Sequence, residues 1–235
     1  MSYTDTAVRH GVTHRLAPLV GLAALTFSVL YFVSDVLELA HGGFSNPQLL
    51  LTYVAEAAIP MFVLGLYVVQ RPQIGTLGLL GAIGYAYAYV FFTGTVLLAL
   101  VDQPTNWDAL VRELGPWVTN HGLVMVVAGS AFGIAVIKAR VLPRWTGMTL
   151  IAGVVMVALS SALPGVAETI SAGVRDLAFA GMGVFLLTRR PPTRGDHSSG
   201  RPGPASPAPS SSGGAAASPA RSTRSVAADE RSVFE

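Results

Sequence analysis

LAPLVGLAALTFSVLYFVSDVLELA, residues 16–40, decides how the rest of the chain is read. Its first nineteen positions, Leu16 through Ser34, carry no formal charge. Roughly twenty apolar residues carry an α-helix through the ~30 Å hydrocarbon core of a bilayer, so the run reads as a membrane helix. It ends on two acids, Asp35 and Glu38, with His41 just beyond. The run is longer than the apolar region of a cleaved signal peptide, and a cut after Ala40 would put Glu38 where a small residue is required. It is expected to stay in the protein.

Working outward, comparable runs recur at 48–69, 75–101, 120–137, 145–163 and 169–188. Hydrophobic residues make up 51% of the 235 and charged residues 12%, about half the charged share of ordinary soluble domains. The expected fold is an all-α polytopic bundle of six transmembrane helices over residues 16–190, after a short cytoplasmic segment 1–15. From residue 191 Pro, Ser, Gly and Ala replace the apolar pattern, and that composition buries too little surface to offset ordering entropy. A disordered cytoplasmic tail, 191–235, is expected. Its RGD at Arg194 to Asp196 reads as accidental on that side of a membrane.

The basic residues orient the bundle. Arg9, Arg15, Arg71, Lys138, Arg140, Arg144, Arg189, Arg190 and Arg194 fall on one side of the expected helices, and Arg112 alone occupies the opposite loops. The positive-inside rule then gives a multi-pass cell-membrane protein with both termini cytoplasmic. A net charge of +2 gives no reason to expect a nucleic-acid partner; membrane lipids are the expected surroundings. The chain has no cysteine, which excludes disulfides, thiolate metal sites and cysteine nucleophiles. HExxH, P-loop, GxSxG and DxD patterns are absent from the membrane segments, so neither a metal nor a cofactor is expected. His41 and His121, at helix ends, read as interfacial hydrogen-bonding groups rather than haem ligands. Trp107, Trp117 and Trp145 suit the aromatic belts at the two interfaces.

Residues three, four and seven apart share a helix face. Ser28, Tyr31, Asp35 and Glu38 align on the first helix, and Thr52, Glu56, Pro60 and Tyr67 on the second. Tyr85, Tyr89, Phe92 and Val96 align on the third, with Tyr87 turned away; Glu168, Ala172, Arg175 and Phe179 align on the last, with Asp176 about 100° round. These stripes place a polar pocket roofed by aromatics in the outer half of the bundle. Gly75, Gly78, Gly81, Gly84, Gly129 and Gly133 read as close-packing positions. Asp35, Glu38, Glu56 and Asp176 face a single permanent cation, Arg175, which is expected to pair with Glu56, Asp35 or Asp176. A low-dielectric site cannot hold so many bare carboxylates, so at least one acid is expected to keep its proton or to bind a cation. Glu56 and Asp176 are the expected proton donors, with Asp35 and His121 orienting or recharging them.

ARVLPRWTGMTLIAG, LPGVAE and VRDLAFAGMGVFLL, which fall between residues 139 and 187, resemble the second half of small six-helix bacterial integral membrane proteins; that likeness implies the fold and names no chemistry. Glu56 on the second helix and Asp176 on the last, with aromatic walls, also resemble the small membrane-integral terpene cyclases. Those have seven helices and a tryptophan beside the glutamate, where this chain has Ala55. This resemblance implies that a protonated acid opens an isoprenoid alkene or epoxide while Tyr31, Tyr85, Tyr89, Phe92, His121 and Arg175 bind the substrate. Three classes stay open on the residues alone: a membrane-embedded enzyme acting on a lipidic or isoprenoid substrate, a proton- or cation-coupled carrier using the same acids, and a non-catalytic accessory subunit.

Overall fold

Turn residues in the sequence set the helix ends. A computed structural model describes residues 3–160 and 165–189, with side chains described from residue 16 onward. The expected tail at 191–235, Arg190 and Arg194 lie outside the described residues. Helix α1 (Tyr3–His41) is continuous through the expected N-terminal segment. It stops at Gly42 and Gly43, whose φ angles of 70° and 154° suit glycine best. Gly43 also makes room for the Thr105 carbonyl, which accepts from the Phe44 N–H at 3.1 Å. Helix α2 (Asn46–Val69) starts behind Ser45 with a proline in its first turn, where the missing N–H is not needed. Helix α3 (Gly75–Asp102) follows a short turn.

Between α3 and the next long helix the chain forms an eight-residue helix, α4 (Trp107–Leu114), which the apolar-run reading did not anticipate. It is too short to register as a run. Asn106 caps it, its side-chain oxygen accepting from the Ala109 N–H at 3.0 Å. Leu110 on its inner face is buried, while Asp108, Arg112 and Glu113 are exposed. Helix α5 (Pro116–Ala139) begins four residues before the expected 120, because Pro116 is tolerated at the first helical position. Helix α6 (Arg144–Ser160) and helix α7 (Gly165–Thr188) complete the described residues. The expected 161–163 stretch lies outside the described residues, and α7 starts ahead of the expected 169.

Each long helix packs on its chain neighbours. α1 packs on α2, α2 on α3, α3 on α5, α5 on α6 and α6 on α7, and α7 returns to α1, so six helices close a ring with α4 resting against α5. Glycines set the tightest approaches. A Cβ on Gly21 would lie 2.9 Å from the Gly183 carbonyl oxygen, and one on Gly183 2.6 Å from that of Gly21. Gly133 and Gly147 are paired in the same way between α5 and α6, and Gly81 sits against the α5 backbone at Ala128 and Phe132. These pairings, with Gly153 against Arg175, run in opposite chain directions and make the neighbours antiparallel. Of the expected packing glycines, Gly78, Gly84 and Gly129 also face neighbouring side chains, whereas Gly75 meets nothing within 4 Å.

The outside of the ring is apolar. Met61, Leu80 and Val101 are 72%, 68% and 73% exposed, an apolar surface that suits lipid better than water. Five helices among the described residues are long and apolar enough to cross a membrane: 16–41 of α1, then α2, α3, α5 and 166–188 of α7. α6 is apolar but shorter, at 17 residues. Inside, an aromatic column fills one half of the ring. Phe62 meets Phe179 edge-on at 5.3 Å, Phe179 lies 5.7 Å from Tyr85, Tyr85 5.0 Å from Tyr89, and Tyr89 5.9 Å from Phe92.

Candidate functional site

Above this column the ring holds a cavity of about 960 Å³. It lies at the end where α1, α3 and α6 finish and α2, α5 and α7 begin. Glu56 and Arg175 sit at its depth, each ten residues into its helix, or about 15 Å along the axis. One wall, from α1, α2 and α7, is polar; the opposite wall, from α3 and α5, is largely apolar, with Phe92, Val96 and Met125. Of the residues aligned by helix periodicity, Tyr31, Asp35, Thr52, Glu56, Tyr89, Phe92 and Arg175 line the cavity, as do Glu38 and Glu168.

The deep end is organised around Glu56 and Arg175. The Tyr31 hydroxyl donates to Glu56 Oε1 at 2.7 Å, and Glu56 is buried. Its other oxygen, Oε2, has no hydrogen-bond partner. Of the three acids expected as partners of Arg175, Asp176 takes the role. Arg175 Nε donates to Asp176 Oδ1 at 3.0 Å, and Nη2 lies 3.0 Å from the same oxygen without hydrogen-bond geometry. The guanidinium also stacks over the Tyr31 ring at 4.6 Å and stands 5.8 Å from the Tyr89 ring. Behind it, α6 presses against the backbone. A Cβ on Gly153 would lie 2.5 Å from Arg175 N and 2.6 Å from its Cα.

Three expected site residues stand elsewhere. Asp176 is buried beside Arg175 but does not line the cavity, because its place one residue on turns it behind the guanidinium. Tyr85 is fully buried in the aromatic column, beneath Tyr89. His121 is on the far side of α3 and α5: its ring stacks on Phe91 at 3.8 Å and 7°, Nδ1 is 2.8 Å from the Trp117 carbonyl oxygen, and Nε2 is 3.3 Å from the Tyr87 hydroxyl. It shares a level with the acids but not a face. His41 is exposed, with Nδ1 2.8 Å from the Leu37 carbonyl oxygen. Ser28, one turn further in than Tyr31, is buried outside the cavity lining.

The sequence reading missed the side chains nearest the mouth. Gln48 Nε2 donates to Thr52 Oγ1 at 3.0 Å and to Glu38 Oε2 at 3.3 Å, and it reaches Ser34 Oγ at 3.4 Å. Ser34 and Thr52 hydroxyls are also hydrogen-bonded to one another. Gln48, Thr52 and Glu56 are spaced by four, and Gln48 opens the expected run 48–69, so the spacing that aligned Thr52 with Glu56 would also have found Gln48. Trp107 and Leu110 bring α4 into the lining. Trp107, expected at an interface, is half-buried here, whereas Trp117 and Trp145 are exposed.

No family model, curated protein or solved structure matches the chain.

Proposed function

We propose that this protein crosses the membrane six times with both termini cytoplasmic, and that the cavity is the site of a membrane-embedded enzyme acting on a lipidic, isoprenoid-like substrate by general-acid chemistry. The sixth crossing is α6. It runs antiparallel to both α5 and α7, each long enough to span, and it must return the chain from the end of α5 to the start of α7. At 17 residues it reaches about 26 Å, the lower limit for a span. Arg71, Lys138, Arg140, Arg144 and Arg189 then share the cytoplasmic end, and the cavity opens outward.

The observation that carries the enzymatic reading is the state of Glu56. Its carboxyl is buried, it lines a cavity of the size that ligand pockets have, and the nearest cation is already matched by Asp176. With Tyr31 donating to Oε1, a proton on Oε2 leaves the group neutral, the favoured state of an unpaired carboxyl in a dry site. Glu56 gives that proton to an alkene carbon or epoxide oxygen. A neighbouring double bond attacks the resulting cation, and the carboxylate takes a proton from a carbon beside the new cationic centre, which closes a double bond there and restores the acid. The reaction is an isomerisation and consumes no co-reactant. Phe92 offers its ring to the cationic intermediate, whereas Arg175 already occupies the face of Tyr31 and lies beside that of Tyr89. Asp176 acts by holding Arg175, and Asp35 flanks the donor from the outer side.

The test is turnover of isoprenoid alcohols and terminal epoxides by membranes containing the protein, followed as the appearance of a cyclic isomer of unchanged mass. Glu56→Gln should abolish turnover at unchanged abundance. Undiminished activity in that variant would remove the mechanism. Loss of pH-driven uptake in the same variant would favour a carrier instead, and no effect of any kind would favour an accessory subunit.

A further inference from the structure

The mouth of the cavity has a chemistry that the Glu56 reaction does not use. Asp35, Glu38, Asp108 and Glu168 line it from α1, α4 and α7. Glu38 and Glu168 are close enough to interact electrostatically, and so are Glu168 and Asp108. Among the described residues, Arg175 at the deep end is the one cation of the cavity lining. Arg175 is matched by Asp176, and Arg112 points outward from α4.

A second observation is independent of the acids. Gln48 is 1% exposed and lines the same cavity. Its nitrogen is engaged by Ser34, Thr52 and Glu38, and its oxygen, Oε1, has no donor. A buried acceptor left without a donor is costly, so the site calls for a group that brings N–H bonds. Asp35 Oδ2 is a further acceptor in the same condition.

We propose that the substrate carries a cationic ammonium head group, held at the mouth by Glu38, Glu168 and Gln48, while its chain runs along Phe92 and Val96 towards Glu56. An ammonium supplies three donors on one compact charge, which suits a neutral acceptor flanked by carboxylates. A metal ion suits the site less well, because no three acidic or histidine side chains among the described residues are gathered closely enough to bind one. Trp107, on α4, adds an aromatic face for the cation. The same acids repel a phosphate or diphosphate head, so the site selects against the charged form in which isoprenoid chains are commonly activated. The placement of the chain rests on the reading of Glu56 given above; the head-group selectivity rests on the mouth alone.

The experiment compares farnesylamine, farnesol and farnesyl phosphate, three probes with one chain, by thermal melting of the purified full-length protein in lipid nanodiscs. The amine should bind about tenfold tighter than the alcohol or better, the gain expected of a charge-assisted hydrogen bond, and the phosphate more weakly than the alcohol. The double variant Glu38→Gln with Glu168→Gln should bring the amine down to the alcohol's affinity and leave the alcohol unchanged. Glu168→Lys, a change at a half-exposed position, should reverse the order in favour of the phosphate. Equal binding of amine and alcohol by the native protein, or an unaltered preference in Glu168→Lys, overturns the proposal. Melting reads binding without turnover. An amine preference with no Glu56-dependent reaction therefore refutes the enzymatic reading alone, and Glu56-dependent turnover with no amine preference refutes the head-group proposal alone.

Discussion

Asp176→Asn isolates the charge of the deepest ion pair without changing its shape. Arg175 and Asp176 are each 4% exposed, and removing one partner of a buried pair costs about 3–5 kcal/mol, because the other is left uncompensated. Two features hold the expected loss to the lower end of that range. The asparagine oxygen still accepts from Arg175 Nε, 3.0 Å away in the native protein, and the Tyr31 ring at 4.6 Å retains a cation–π contact of about 0.5–2 kcal/mol. The expected destabilisation is therefore about 3 kcal/mol. Arg175→Met should destabilise by a similar amount, since it strands Asp176 instead. In the double variant no charge is stranded, and the combined loss should fall short of the sum by about 2–3 kcal/mol. Unfolding in mixed micelles with a rising fraction of sodium dodecyl sulfate, followed by tryptophan fluorescence, measures all four corners of the cycle. Single losses below about 1 kcal/mol, or additivity within about 0.5 kcal/mol, would show that Arg175 is held by some other group.

Gly153→Val should destabilise by about 1–3 kcal/mol through overpacking, because a Cβ there meets the Arg175 backbone rather than a movable side-chain tip; the same unfolding assay should show it, along with weaker ligand-induced stabilisation. Gln48→Leu removes a buried donor shared by Ser34, Thr52 and Glu38 and should cost about 1–3 kcal/mol, whereas an unchanged melting temperature would deny the network any weight. His121→Leu should leave binding of every farnesyl probe unchanged, since the ring stacks on Phe91 outside the cavity; altered affinity would place the histidine in the site after all. Tyr31→Phe should lower turnover more than probe binding, because it deletes only the hydroxyl that donates to Glu56.

Helical periodicity made the polar stripes of α1, α2, α3 and α7 legible, since a face is fixed by spacing alone. It could not say which faces meet. His121 shows the gap: its depth follows from residue count, but its direction depends on how α5 rotates against α3, which close packing at Gly81, Ala128 and Phe132 decides. Asp176 shows a second limit. An inward-facing acid next to an arginine can serve the cavity or the arginine, and only the geometry of the pair separates the two. α4 escaped because membrane runs are sought by length, and eight residues with an exposed charged face leave no such run. Closure of the ring was equally hidden, because Gly21 and Gly183 stand 162 positions apart and form no local motif.

That closure bears on how the protein is made. The seam at Gly21 and Gly183 joins the first described helix to the last, and the last also brings Arg175 and Asp176. Until α7 is in place, Tyr31, Asp35 and Glu56 line an open trough with no wall on one side. The acids must be sheltered during the whole of that interval. A chain that stops short of α7 therefore leaves the same carboxylates uncovered, and only the closed ring hides them.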